Sequence, residues 1–93
     1  MGWKIMYDYA LRKTVEKIFF KLATKNREQL KRIHNKIEEI RRDPHRYKNL
    51  RSPLQHLKRV HIDKSYVLVF SVDDYNKLVI IEDYDHHDKI YRW

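Results

Sequence analysis

The sequence predicts an α+β domain in which a helical hairpin packs on one face of a small, mostly antiparallel sheet. Two segments of the first half carry apolar residues at helical spacing, with only a short break between them. The second half contains three short runs rich in apolar residues, separated by turn residues, as strands are. At 93 residues, the chain is expected to form one domain, 1–93, with a thin core.

The predicted order of elements is strand, helix, helix, strand, strand, strand. Residues 2–7 alternate in polarity and predict the first strand. Asp8 is expected to cap the first helix, since its carboxylate can accept an orphan backbone N–H. The apolar stripe of that helix comprises Leu11, Val15, Ile18 and Leu22, with Phe19 beside it.

The second helix has clear signals at both ends. Asn26 and Gln29 have the spacing of a capping box, which predicts a start there. Asp43-Pro44 predicts the end, because the residue before proline disfavours helical dihedrals. The apolar stripe between them comprises Leu30, Ile33, Ile37 and Ile40.

A basic loop, residues 44–55, leads to strands predicted around 57–62, 66–72 and 78–81. The middle one is apolar on both faces, which is typical of a central strand. If Val60 and Ile62 face the helices, Arg59 and His61 point to the other face. That face is expected to lack a second helical layer, because no sequence remains to build one. Val67 is expected on the same open side and to tolerate arginine there.

Composition narrows the function. The chain has 21 Lys and Arg against 13 Asp and Glu, a formal charge of +8, which attracts polyanions such as RNA. The alternative is simply a soluble basic surface.

The absence of cysteine excludes disulfides, thiolate metal sites and a cysteine nucleophile. No apolar run is long enough for a membrane span or a signal peptide, so a cytoplasmic protein without membrane contact is expected. With one glycine there is no phosphate-cradling loop, and no cofactor is expected.

The open face and the C-terminal tail carry groups suited to RNA cleavage, which needs a base, a cation for the charged phosphorane and an acid. Which group is the base and which the acid stays open, and a solvated outer face is the alternative reading. No metal site is expected, because adjacent histidines in extended chain point in opposite directions. The catalytic candidates are Arg59, His61, His86, His87 and Tyr91. The RNA-binding candidates are Arg51, Lys58, Lys89, Arg92 and Tyr84, the tyrosine by stacking on a base.

Four segments together resemble the RelE/ParE toxin superfamily, specifically its RelE-like branch. They are Leu50-Arg51, LKRVHI (57–62), SYVLVFSV (65–72) and HHDKIY (86–91). The resemblance implies a ribonuclease-like sheet under a helical hairpin. It also implies an endoribonuclease, or mRNA interferase, that enters the ribosome and cleaves mRNA by metal-independent attack of the 2′-OH.

The resemblance assigns Arg59, His61, His86 and Tyr91 by position to family site residues. Val67 and His87 depart from the pattern, since many members have arginine there; His61 and His87 are expected to compensate partly. The implied partner is a RelB-like antitoxin, and DNA contact is implied only through the toxin–antitoxin complex. Two alternatives remain: a ParE-like toxin that inhibits gyrase, and a catalytically degenerate module that binds RNA or antitoxin.

Overall fold

The computed structural model describes residues 6–90 and has the predicted α+β architecture. Its elements are β1 Asp8–Leu11, α1 Lys13–Lys25, α2 Arg27–Arg42, β2 Lys58–Ile62, β3 Tyr66–Asp73, β4 Leu78–His86 and α3 His87–Ile90. The strands form one sheet in the order β1-β4-β3-β2. β1 runs parallel to β4 and the other neighbours are antiparallel, so the prediction of a mostly antiparallel sheet is confirmed.

The helical hairpin forms where its local signals predict it. The side chain of Asn26 accepts a hydrogen bond from the Gln29 backbone N–H at 3.1 Å, which caps α2. α2 ends at Arg42, directly before Asp43 and Pro44. Among residues 6–90, no helix has both the length and the apolar character that a membrane crossing requires.

The first strand and the first helix begin later than predicted. β1 starts at Asp8, which pairs with Leu78 and donates its backbone N–H to the Lys77 carbonyl at 2.9 Å. Asp8 therefore belongs to a strand and does not cap α1, whose N-cap is Arg12 without a side-chain capping bond. Residues 2–5 of the predicted strand lie outside the described part of the chain. Pairing with a distant strand decides this boundary, and local alternation carries no information about that pairing.

The main core lies between the helical hairpin and one face of the sheet. Phe70 is at its centre, fully buried on β3. The helices contribute Val15, Phe19, Ile33, Ile37 and Ile40, and the sheet contributes Ile62, Leu68, Phe70, Val79, Ile81 and Tyr84. Burying aromatic and branched side chains stabilises so small a domain at roughly 25 cal/mol per Å² of apolar surface.

The opposite face of the sheet is partly covered, which corrects the expectation of a bare surface. A second apolar cluster lies there, formed by Leu50, Leu57, Val67, Val69 and Ile90. The loop before β2 and the short helix α3 supply its outer members. Val67 therefore points to the predicted side of the sheet but is 0% exposed, and the expectation that it tolerates arginine is wrong about its surroundings.

A β-bulge in β4 decides which residues face which side. Asp83 pairs with Val69 and Ile81 pairs with Phe70, so Glu82 is an extra residue between them. An extra residue moves every later side chain of the strand to the other face. Tyr84 consequently enters the main core, whereas Asp83 and Asp85 share the face of Val69 and Val67.

Candidate functional site

Arg59 and His61 lie together on the sheet face that points away from the helical hairpin, as the alternation predicts. Arg59 pairs with Val69 and His61 pairs with Val67, and both valines belong to the second apolar cluster. His61 is exposed and Arg59 is half-buried. A guanidinium and an imidazole on one face are two of the groups that phosphodiester cleavage requires.

The same face carries carboxylates, so it is not the uniformly cationic surface that the sequence predicts. Asp83 and Asp85 lie in the rows of Arg59 and His61, two strands away on β4. Burial raises the pKa of Asp83, and the charge of Asp85 raises it further. Positive groups thus gather at the β2 edge and negative groups lie towards β4. A polyanion is therefore expected to approach along the β2 edge.

Glu82, the extra residue of the bulge, is held in a polar network that the sequence did not predict. It accepts hydrogen bonds from the Arg12 guanidinium at 2.9 Å and from the Ser71 hydroxyl at 2.6 Å. Burial acts to raise the pKa of Glu82, but the two hydrogen bonds together with the nearby charges of Arg12 and His56 lower that pKa overall. The network ties the end of β1 to the centre of the sheet.

A cleft of about 420 Å³ opens beside Arg59, between β2 and the loop that precedes it. Its cationic groups are Arg51 and Arg59. The apolar part of the wall comprises Leu50, Pro53, Leu54 and Ile90. Guanidinium groups suit phosphate oxygens and an apolar wall suits a base, so the cleft combines the contacts that a nucleotide needs. Arg51 thus lies where an RNA-binding role is feasible.

Lys58 does not face the open side, which corrects its prediction as an RNA contact. Its side chain is 9% exposed. Its ammonium group donates to the Tyr47 carbonyl at 3.0 Å and to Asn49 Oδ1 at 2.9 Å. These bonds satisfy a nearly buried charge and hold the loop that leads to Arg51. Lys58 therefore positions the cleft and does not contact a ligand in it.

Tyr84 is buried beneath the protein's own helices, so its prediction as a base-stacking residue is wrong. It is 3% exposed, and its hydroxyl accepts a hydrogen bond from the Gln29 side-chain amide at 2.5 Å. Its ring stacks on Tyr66 at 5.4 Å and meets Phe19 edge-on at 6.0 Å. Burial raises the pKa of Tyr84 well above its ordinary value. Its role is structural.

Replacing Tyr84 with phenylalanine should lower the free energy of unfolding by about 1–3 kcal/mol, because the buried Gln29 amide loses its acceptor. The rate of any RNA cleavage should stay at the wild-type value. Urea unfolding of Tyr84→Phe measures this loss. Tyr75→Phe is the control, because it removes the same hydroxyl from a side chain that is 94% exposed. If Tyr84→Phe lost RNA cleavage while its free energy of unfolding stayed unchanged, Tyr84 would have a role in cleavage and not in the core.

His86 and His87 lie close together, contrary to the expectation for extended chain. His86 ends β4, and α3 begins at His87, so the backbone turns between them. Their rings stack with centroids 4.6 Å apart. The His87 backbone N–H donates to the Ser65 carbonyl at 2.8 Å, which places both residues beside the turn between β2 and β3.

The structure does not bring all of the predicted catalytic groups onto one face. His86 pairs with Tyr66 in the row of Ile62, a row that faces the helical hairpin, whereas His61 lies on the opposite face. Lys89 is exposed on α3. Tyr91 and Arg92 lie outside the described residues, so their predicted roles stay predictions.

Asp88 is a candidate functional residue that the sequence reasoning missed. With His86 and His87 it forms a cluster whose potential metal-ligating atoms all lie within 4.8 Å of one another. The signal was present as a His-His-Asp run. Only the helical turn that starts at His87 makes those three side chains converge, and the sequence was read there as extended chain.

Two archaeal proteins are close relatives of this chain. It is 57% identical over 86 residues to an uncharacterised protein of Methanosarcina mazei, covering 92% of this chain and 100% of the relative. It is 54% identical over 87 residues to a candidate toxin named RelE4 from Methanocaldococcus jannaschii, covering 94% of this chain and 93% of that one. The chain belongs to the RelE-like toxin family of toxin–antitoxin systems. No protein-family model matches it.

The RelE-like fold agrees with a solved structure. The toxin–antitoxin complex RelBE2 of Mycobacterium tuberculosis contains a chain with a TM-score of 0.75 and 22% identity, covering 94% of this chain and 98% of that chain. The fold class predicted from sequence is thereby confirmed, and the family resemblance is confirmed by the 54% identical relative RelE4. In this RelE-like chain, Arg59 and His61 lie on the face of β2 that points away from the helical hairpin, called the open face. Arg51 lies in the adjoining cleft, which Arg59 also lines.

Proposed function

We propose that this RelE-like chain is the toxin of a toxin–antitoxin pair and that it inhibits translation by cutting mRNA on the ribosome, in the cytoplasm. The observation that carries the proposal is the presentation of Arg59 and His61 on one sheet face, beside a cleft that adds Arg51. Membership of the RelE-like family supports the same activity.

The proposed chemistry is attack of a ribose 2′-oxygen on the adjacent phosphorus. The 2′-oxygen–phosphorus bond forms and the phosphorus–5′-oxygen bond breaks, which leaves a 2′,3′-cyclic phosphate and a 5′-hydroxyl. His61 takes the proton of the 2′-OH, and Arg59 stabilises the negative charge of the phosphorane. The leaving 5′-oxygen receives its proton from a group of the C-terminal tail, for which His87 and Tyr91 are the candidates.

Substrate binding is proposed to divide between the arginines of the cleft and the basic residues of the C-terminal segment. Arg51 and Arg59 hold phosphates at the cleft, and the apolar wall holds a base. Lys89 and Arg92 are proposed to contact the mRNA backbone or the ribosomal RNA. The carboxylates of Asp83 and Asp85 on β4 are proposed to repel phosphates, which keeps the mRNA over Arg59.

Mapping of mRNA 5′ ends by primer extension tests the proposal. Cuts that follow the codon phase in translated message, and that are absent from untranslated message, are the expected result. The burial of Val67, where many family members place an arginine, favours a second candidate, a gyrase inhibitor without nuclease chemistry. DNA breaks with intact mRNA would establish that candidate. Intact mRNA and intact DNA would leave a module that only binds RNA or antitoxin.

The antitoxin is proposed to occupy an apolar groove on the helical hairpin. The groove has a volume of about 510 Å³ and its outermost wall is Phe20, a side chain that is 79% exposed on α1. Its charged lining residues are Lys17, Lys21 and Glu16. The two ammonium groups outnumber the one carboxylate, so an apolar groove with this lining complements an amphipathic segment with acidic residues beside its apolar face. In this proposal, contact with operator DNA is made only through the antitoxin.

Replacing Phe20 with glutamate should weaken antitoxin binding by at least about 2 kcal/mol, roughly 30-fold, because it removes an exposed aromatic anchor and repels acidic residues. Isothermal titration with the antitoxin encoded beside the toxin gene measures this. Tyr75→Glu is the matched control, since it removes another highly exposed aromatic residue, from the turn after β3. Equal losses for both variants would show that net charge, and not the groove, determines affinity.

A further inference from the structure

The junction of β4 and α3 gathers three metal-ligating side chains that the proposed RNA chemistry does not explain as a group. Nδ1 of His87 lies 3.0 Å from one carboxylate oxygen of Asp88. Nδ1 of His86 lies 3.5 Å from the other. Ligands of a tetrahedral ion with bonds near 2.1 Å are about 3.4 Å apart. The two nitrogen–oxygen separations are close to that value, and one ligand atom from each of the three residues lies within 4.8 Å of the others.

The donors are of the right chemical kind. Two imidazoles and one carboxylate form a set that binds Zn²⁺ and neighbouring divalent transition metals. Nδ1 of His86 accepts a hydrogen bond from the Asp88 backbone N–H at 3.3 Å, which holds this nitrogen close to Asp88. A bound cation would be attracted by the Asp88 carboxylate and would take this nitrogen as a ligand in place of that long hydrogen bond.

The backbone holds the cluster in place. On one side, the His87 N–H donates to the Ser65 carbonyl at 2.8 Å, which fixes the first residue of α3 to the turn between β2 and β3. On the other side, Ile90 is buried in the second apolar cluster. His86 directly precedes the first anchor at the end of β4, and Asp88 lies between the two anchors. Binding therefore needs only small side-chain rotations and little ordering of the backbone.

We propose that His86, His87 and Asp88 form a binding site for one divalent transition metal ion, such as Zn²⁺. The three side chains are partly exposed, so the site opens to solvent and leaves its fourth position to water or an anion. The bound ion holds the end of β4 to the first turn of α3 and occupies a lone pair on each of the two imidazoles.

The proposal is tested by isothermal titration calorimetry, in which Zn²⁺ alone is titrated into the chelator-treated chain. We expect one ion per chain. Asp88→Asn should weaken binding about tenfold or more, because it removes the charged ligand. Asp8→Asn is the matched control: Asp8 is also exposed and pairs with Leu78 at the start of β4, whereas the cluster lies at the end of that strand. It should leave the affinity within about twofold, since distant sites act independently.

Proton NMR of the imidazole rings during the same titration identifies the site. The signals of His86 and His87 should move together and saturate at one equivalent, while the other rings stay in place: His34, His45, His56 and His61. Movement of other rings first, or equal affinities for Asp88→Asn and the wild-type chain, would overturn the proposal. No RNA or ribosome is present in either measurement, so the outcome is independent of the proposed nuclease activity.

Discussion

Replacing Arg59 with alanine should lower the rate of mRNA cleavage about 100-fold or more, the loss expected when one group that stabilises transition-state charge is removed. The guanidinium lies on the open face beside the cleft, where the phosphorane would form. The measurement is single-turnover cleavage of a programmed message in a reconstituted translation system. Because the charge develops only during reaction, the cleavage rate should fall far more than ribosome binding does.

Arg32→Ala is the control for the Arg59 variant. It removes the same charge from the exposed face of α2, where Arg32 pairs with Asp63 at 3.3 Å. It should cleave at the wild-type rate. At most, its binding to the ribosome should depend slightly less on salt concentration, because one positive charge is gone. Wild-type cleavage by Arg59→Ala, or an equal loss in both variants, would contradict the assigned role of Arg59.

Replacing Val67 with arginine should destabilise the protein by at least about 3 kcal/mol, because it overfills a buried apolar cluster and desolvates a charge there, and the neighbouring Asp85 carboxylate on β4 offsets only part of that cost. Val67 is 0% exposed and lies among Leu57, Val69 and Ile90. Urea unfolding followed by circular dichroism gives the free energy of unfolding. A toxic phenotype should disappear together with the folded protein.

Tyr75→Arg is the matched control for Val67→Arg. It adds the same charge to the β3–β4 hairpin at a position that is 94% exposed, so it should change stability by no more than about 0.5 kcal/mol. If Val67→Arg cost less than about 1 kcal/mol, the cluster under α3 would be open in solution. Arginine at this position would then be able to join Arg59 on the face.

Local signals predicted the helical hairpin and the face of β2. The capping bond runs from the Gln29 N–H to the Asn26 side chain. Its two partners are three residues apart, so their spacing can be read directly from the sequence. Strict alternation along five residues of β2 similarly determined that Arg59 and His61 share a face. Such features depend on neighbours in the chain, which is why they could be predicted.

The wrong assignments depend on contacts between distant segments. Without the bulge at Glu82, alternation from Val79 and Ile81 would place Tyr84 on the open face; the extra residue moves it into the core. Lys58 is an exception, because it is two residues before Val60 and alternation alone places it on the helix-facing side; only its partners, Asn49 and the Tyr47 carbonyl, lie in a loop that no spacing rule connects to it.

The covered state of Val67 has the same kind of cause. Its register was predicted correctly, but the cluster above it is built from the loop before β2 and from Ile90, near the end of the chain. His86 and His87 converge because the strand ends between them, and the sequence carried no stop signal there.

The most direct test of the open-face site is a cryo-electron microscopy structure of the toxin on a ribosome whose mRNA carries a 2′-O-methyl group at the cut site. The methyl group blocks attack and keeps the message intact. We expect the scissile phosphate to lie over the face of β2, with a guanidinium nitrogen of Arg59 about 2.8 Å from a phosphate oxygen and the His61 ring beside the 2′-oxygen. A message bound against the helical hairpin, with Arg59 out of hydrogen-bond reach of that phosphate, would contradict the site.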